Sequence, residues 1–168
     1  MAEVKRTYYD SGELFKEWFE VNDKKEGIQN GYYENGKLCQ TCNFVNGKLE
    51  GEYKEYYKNE QLMEISNYVN DKREGEFKHY YEDGQLYKIC NYVNGKLVGE
   101  YKEYHFNGKI WKNYNYVNDN KEGECKDYYL NGQLMMLYNY DNGFKQGKIK
   151  LYCEDGQLLE VYNFVNGY

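Results

Sequence analysis

The chain has 168 residues, a net charge of −6 and a pI near 5.1. Its mean hydropathy of −1.07 leans toward disorder, but 19% aromatic residues, 23 of them Tyr, and the absence of Pro exclude that class: rings can build a core, and no backbone N–H is lost from a hydrogen-bonded ladder. The acidic balance excludes nucleic acid and argues against docking by charge on anionic lipid, and no apolar run approaches the roughly 18 residues of a membrane helix.

The N-terminal "MAEVKRTYYD" lacks the apolar centre of a signal peptide, and the five Cys stand at irregular spacing with no disulfide framework. Together these features predict a soluble protein of a reducing compartment, the cytoplasm.

In chain order, one 24-residue sentence is written seven times. Unit one, with Tyr8, Gly12 and Leu14, departs from the others: it reads "WFEVN" where unit two reads "CNFVN", with Glu20 in the place of a ring. From there the columns are clean. One runs Leu14, Leu38, Leu62, Leu86, Ile110, Leu134, Leu158; another Tyr8, Tyr32, Tyr56, Tyr80, Tyr104, Tyr128, Tyr152. A third is Gly27, Gly51, Gly75, Gly99, Gly123, Gly147, and a fourth is Gly throughout except at Glu60. The fifth is aromatic: Phe44, Tyr68, Tyr92, Tyr116, Tyr140, Phe164. No linker or composition shift interrupts them, so a single domain over residues 1–168 is predicted.

Each unit carries two turn signals. One is Asn35-Gly36 and its copies; the other is Asn46-Gly47, alternating with Asn70-Asp71. Asn-Gly between alternating residues points to a two-residue type I′ hairpin, which needs φ > 0 at both central positions. The fold class predicted is all-β: an elongated, single-layer, twisted open sheet, an antiparallel meander of hairpin repeats. About fourteen strands at about 4.8 Å each give a length on the order of 65 Å.

Two-residue turns place Tyr57 opposite Leu62, Tyr53 opposite Ser66, and Gly51 opposite both Tyr68 and Cys42. The aromatic column then lies over the bare glycine backbone and recovers stability that a strand glycine loses. Gly51, Tyr53, Tyr57, Leu62 and Tyr68 share one face, and Tyr56, Met63, Ile65 and Val69 the other.

The stretch "NGKLEGEYKEYYKNEQL" and its copies resemble the MORN repeat variant over nearly the whole chain. The resemblance implies a trough-like single-layer sheet with no catalysis, a scaffold or docking groove, and a cytoplasmic place, bacterial or in the host of a large DNA virus. It also implies two alternatives, an antitoxin or immunity-type inhibitor and a membrane-proximal module.

Candidate sites are few. Cys39-Gln40-Thr41-Cys42 has metal-ligand spacing, but no second ligand pair stands at suitable spacing, and residues three apart on a strand point to opposite faces. His79 and His105 stand without a recurring nucleophile in register. No catalytic, metal or cofactor residue is therefore assigned. The candidate binding residues for a protein partner are rings: Tyr33, Phe44, Tyr53, Tyr57, Tyr68, Tyr81, Tyr92, Tyr101, Tyr116, Tyr129 and Tyr140. A single layer cannot cover both faces, and exposed aromatic surface marks interaction sites. The last strand, from Gln157 to Val165, carries Leu158, Leu159, Val161, Tyr162 and Phe164 with Glu160 as its one charge. Weak self-association through that edge is expected.

Overall fold

Asn46 and Gly47 both stand at positive φ, 52° and 82°, as do Asn70 with Asp71 at 49° and 66°. Two consecutive left-handed residues define the type I′ turn, and short polar side chains or glycine accept that region at least cost. The turn sets Val45 against Lys48 and Phe44 against Leu49, as the sequence predicts.

The computed structural model describes residues 2–164. The predicted end of the last strand at Val165 and the final "VNGY" lie outside them. Two compact units make up the chain, Met1–Gly84 and Gln85–Tyr168. The first holds β1 Glu3–Tyr8, β2 Leu14–Val21, β3 Lys24–Lys25, β4 Gly27–Tyr32, β5 Leu38–Val45, β6 Lys48–Tyr56, β7 Leu62–Val69, β8 Lys72–Arg73 and β9 Gly75–Tyr80. The second holds β10 Leu86–Val93, β11 Lys96–Tyr104, β12 Ile110–Val117, β13 Asn120–Lys121, β14 Gly123–Tyr128, β15 Leu134–Asp141, β16 Phe144–Tyr152 and β17 Leu158–Phe164. Among the described residues all regular structure is strand. Within each unit the strands pair antiparallel with their chain neighbours and do not close, so the all-β open meander stands.

The Asn35-Gly36 turn and its copies differ from expectation. Only the second residue is left-handed: Gly36 at 79°, Glu60 at 71°. The Glu60 N–H donates to the Tyr57 carbonyl and the Tyr57 N–H to that of Gln61. This is a type I turn followed by a residue in the left-handed region and a bulge, with Asn59 Oδ1 accepting the Gln61 N–H at 3.0 Å. In consequence Tyr56, not Tyr57, lies opposite Leu62, and Met63 is skipped before the Glu55–Glu64 pair. Cys39 is skipped in the same way between Tyr32–Leu38 and Gly31–Gln40.

The third column also has another cause. Gly51 faces Tyr68 as predicted, but Cys42 faces Tyr53, and residues 50–52 bulge against Asn43. Gly51 stands at φ 84°, and a Cβ built on it meets nothing within 4 Å. No ring occupies the place of its missing side chain. The glycine is required because the bulge is left-handed.

The core follows from these pairings. In each unit the buried residues lie on one face: Gln29, Cys42, Glu64, Ser66 and Phe77 in the first, Glu103, Tyr114, Cys125, Asp127, Tyr138 and Ile149 among those in the second. The opposite face carries ion pairs within single strands, such as Lys54–Glu52 at 2.5 Å and Lys102–Glu100 at 2.7 Å.

Candidate functional site: the aromatic face

Two rows of side chains cross the buried face. The outer row is made of rings and small residues in register: Gln29 opposite Cys42, Cys42 opposite Tyr53, Tyr53 opposite Ser66 in the first unit, and Tyr101 opposite Tyr114, Cys125 opposite Tyr138 in the second. Small residues seat the large ones, so a single layer can bury its own side chains. Tyr53 and Tyr68 lie 5.5 Å apart, Tyr101 and Tyr116 5.4 Å, Tyr138 and Tyr140 5.9 Å.

The inner row is polar. In the first unit Gln40, Glu55, Glu64 and His79 follow one another in register. Glu55 and Glu64 are like charges face to face, a destabilising arrangement that donors relieve. Tyr53 donates its hydroxyl to Glu55, while Arg73 at 2.7 Å and Ser66 at 3.3 Å donate to Glu64. In the second unit the row runs Lys88, Glu103, Lys112, Asp127, Met136, Leu151, Glu160. Signs alternate at its start: Lys112 pairs with Glu103 at 2.8 Å. Asp127 accepts from Tyr114 at 2.5 Å and from Tyr138 at 3.1 Å.

Cations complete the face, each between two rings. Lys25 lies 5.1 Å from the Trp18 ring and 4.9 Å from Phe44. Arg73 lies between Tyr68 and Phe77, Lys121 between Tyr114 and Tyr140, and Lys145 between Tyr138 and Phe164. Sequence reading missed these cations. The signal was present: Lys25, Arg73, Lys121 and Lys145 share one column with Leu49 and Leu97.

Of the candidate rings, Phe44, Tyr53, Tyr68, Tyr92, Tyr101, Tyr116 and Tyr140 sit half-buried on this face. Tyr33, Tyr57 and Tyr129 have a structural task. They start the bulged turns and donate their hydroxyls to the carbonyls of Tyr56, Tyr80 and Tyr152, one repeat further on, at 2.6, 2.8 and 2.9 Å. Tyr81 occupies the same column and is half-buried. His105 keeps the pattern: its Nε2–H donates to the Tyr128 carbonyl at 3.0 Å, which assigns the tautomer.

Burial sets the protonation states. It holds the Tyr53, Tyr101 and Tyr114 phenols far above the usual range, aided by hydrogen bonds to Glu55, Glu103 and Asp127. Burial also pushes Tyr116 to about 12 and the Cys125 thiol to about 11, and it lowers the Lys121 ammonium. Thiols held up in this way are poor nucleophiles and poor metal ligands. Cys39 and Cys42, both also raised by burial, are free, and among the described residues no cluster of three ligand-type side chains gathers.

No helix among the described residues is long and apolar enough to cross a membrane. The search of curated proteins gives no significant match to this chain. Residues 25–46, 49–70, 73–94, 97–118 and 121–142 match the family described as MORN repeat variant. MORN repeats are a non-catalytic repeat family associated with protein and membrane interaction. The matched repeats cover most of the sequence and coincide with the hairpins seen in the fold, and the chain belongs to the MORN repeat variant family.

Proposed function

We propose that the protein is a non-enzymatic interaction scaffold that docks a segment of a protein partner on its aromatic face. The observation that carries this reading is the asymmetry of the sheet. One face gathers the rings, the cations between them and the buried carboxylates; Tyr114, Tyr138 and Phe77 are buried there, while Phe44, Tyr53, Tyr68, Tyr101, Tyr116 and Tyr140 stay half-exposed. Aromatic residues are enriched at interfaces because they give large contact area with a polar tip, and the other face carries ion pairs beside exposed aliphatic side chains such as Val69 and Val93 but, among the described residues, no such set of rings and cations.

Site-specific photocrosslinking tests it. A benzophenone amino acid placed at Tyr68 or Tyr116 reports on the aromatic face, and one at Lys78 or Lys126 on the ion-paired face. In extracts of the native cell, discrete protein adducts are expected from the first pair alone. Adducts from the second pair only, or sedimentation with anionic vesicles in place of protein adducts, overturn the reading.

A further inference from the structure

The inner row of the second unit changes character along its length. After Lys88, Glu103, Lys112 and Asp127 it becomes apolar at Met136 and Leu151. Repeat by repeat, Leu151 stands where Glu55, Glu103 and Asp127 stand, Met136 where Glu64 and Lys112 stand, and Ile149 where Tyr53 and Tyr101 stand. These uncharged side chains line an open depression of about 430 Å³, together with Tyr162, Asn163, Phe164 and Lys145. That volume is at the lower end of the ~300–1,000 Å³ of ligand-binding clefts and suits one or two side chains of an extended segment.

The same replacement strands a charge. Arg73 has Glu64 at 2.7 Å, and Lys121 lies within the field of Asp127. Lys145 occupies their column, 4.6 Å from the Tyr138 ring and 5.9 Å from Phe164, but among the described residues no carboxylate comes within ion-pair distance of it. The acid of the row on the adjacent strand, Glu160, faces Leu151 and accepts the Tyr162 hydroxyl at 2.6 Å, several residues along the strand from the row of Lys145. An apolar floor beside an unpaired ammonium calls for an apolar group beside a carboxylate.

We propose that this depression receives an extended acidic and apolar peptide segment, with an apolar side chain on Ile149 and Leu151 and a carboxylate against Lys145. The incoming carboxylate supplies the kind of partner that Glu64 gives Arg73 in the first unit. The proposal rests on the aromatic face being the docking face and gives the partner its chemistry.

The test is fluorescence anisotropy with the full chain and two labelled octapeptides, one alternating Glu with Leu and Phe, the other with every Glu replaced by Lys. The variants are drawn from the chain's own repeats, so each substituted side chain already occurs at that position of a folded hairpin. Lys145→Leu copies Leu97, Leu151→Glu copies Glu103, and Lys145→Arg copies Arg73. The Glu peptide is expected to bind saturably and to weaken with salt. Lys145→Leu and Leu151→Glu should each weaken it at least tenfold at unchanged circular dichroism, and Lys145→Arg should retain it. Equal binding of the Lys peptide, no saturable binding, or binding indifferent to both losses overturns the proposal. Persisting adducts from Tyr68 or Tyr116 then leave the scaffold reading standing, whereas their absence removes that reading as well.

Discussion

Lys121 holds its Nζ 3.7 Å from the centroid of the Tyr114 ring. The pair belongs to a covariation inside the chain. Where the outer row holds Trp18, Tyr114 or Tyr138, the side chain seven positions on is Lys25, Lys121 or Lys145; where it holds Cys42 or Cys90, that side chain is Leu49 or Leu97; Ser66 is the exception, for Arg73 stands seven positions on and takes its rings from Tyr68 and Phe77. A ring attracts a cation through its quadrupole, while a thiol leaves room only an apolar group fills well.

A double-mutant cycle on Tyr114→Cys and Lys121→Leu measures this coupling. Each change alone leaves either Lys121 with only the more distant Tyr140 ring or Tyr114 without its cation. The double variant restores a combination that the chain already uses. By denaturant unfolding it should be more stable than the sum of the single losses by about 1 kcal/mol. Strict additivity means the two columns vary independently.

Gly51 gives a second prediction, because two explanations of the glycine column part there. A ring covering the backbone makes any side chain costly. The left-handed bulge makes cost depend on the residue's tolerance of positive φ. With φ at 84° and open space around a built Cβ, Gly51→Ala should lose about 1 kcal/mol and Gly51→Asn distinctly less, since Asn enters that region more readily. Thermal melts showing Asn at least as costly as Ala restore the covering-ring account.

The same positions show how far the sequence was legible. The I′ turns at Asn46-Gly47 were readable because two successive left-handed residues are a local demand that two residues answer. Asn35-Gly36 misled because the same dipeptide also closes a type I turn with a bulge; what selects between them is the bond from the Tyr33 N–H to the Lys37 carbonyl, outside the dipeptide. The bulge at Gly51 is a property of two strands, since residues 50–52 oppose Asn43 only when β5 and β6 are in place. Of the candidate rings, alternation correctly put Tyr53 and Tyr68 together. It misjudged Tyr57, which falls in the turn while Tyr56 takes the place opposite Leu62, because the turn adds a residue. The cations were overlooked because a Lys among Glu and Asn reads as solvated surface until two rings are seen around it.

Alkaline pH should unfold the protein earlier than surface charge alone dictates. The Tyr53, Tyr101 and Tyr114 phenols, chiefly through burial, titrate above their ordinary value of 10.0 in the folded state. For a group whose folded pKa is raised, the stabilisation is complete below the unfolded pKa and is lost as pH rises toward the folded one. Tyr116, pushed to about 12, marks part of that window. Absorbance at the tyrosinate band should therefore show a cooperative rise above pH 10.0 that coincides with loss of circular dichroism. Smooth titration of all rings in a still-folded chain contradicts the buried-phenol assignment.

The last prediction weighs two small effects at one turn. Glu60 stands at φ 71° in the position that Gly holds in the other repeats, a left-handed conformation costing a non-glycine residue about 1 kcal/mol. Its carboxylate is not idle, for it lies 2.9 Å from the Lys37 ammonium of the preceding repeat. Both side chains are exposed, and exposed pairs contribute about 0–1 kcal/mol and weaken with salt. Glu60→Gly removes the strain and the ion pair together, and the strain outweighs the pair. The variant should melt at a higher temperature than the parent, and the gain should grow in high salt, where the parent has already lost its ion pair. Lys37→Ala separates the two contributions: in that background Glu60→Gly should stabilise by the full strain energy at every salt concentration. If Glu60→Gly instead lowers the melting temperature at low salt and is neutral at high salt, the Lys37–Glu60 pair outweighs the backbone strain, and this repeat keeps its acid as a cross-repeat tie.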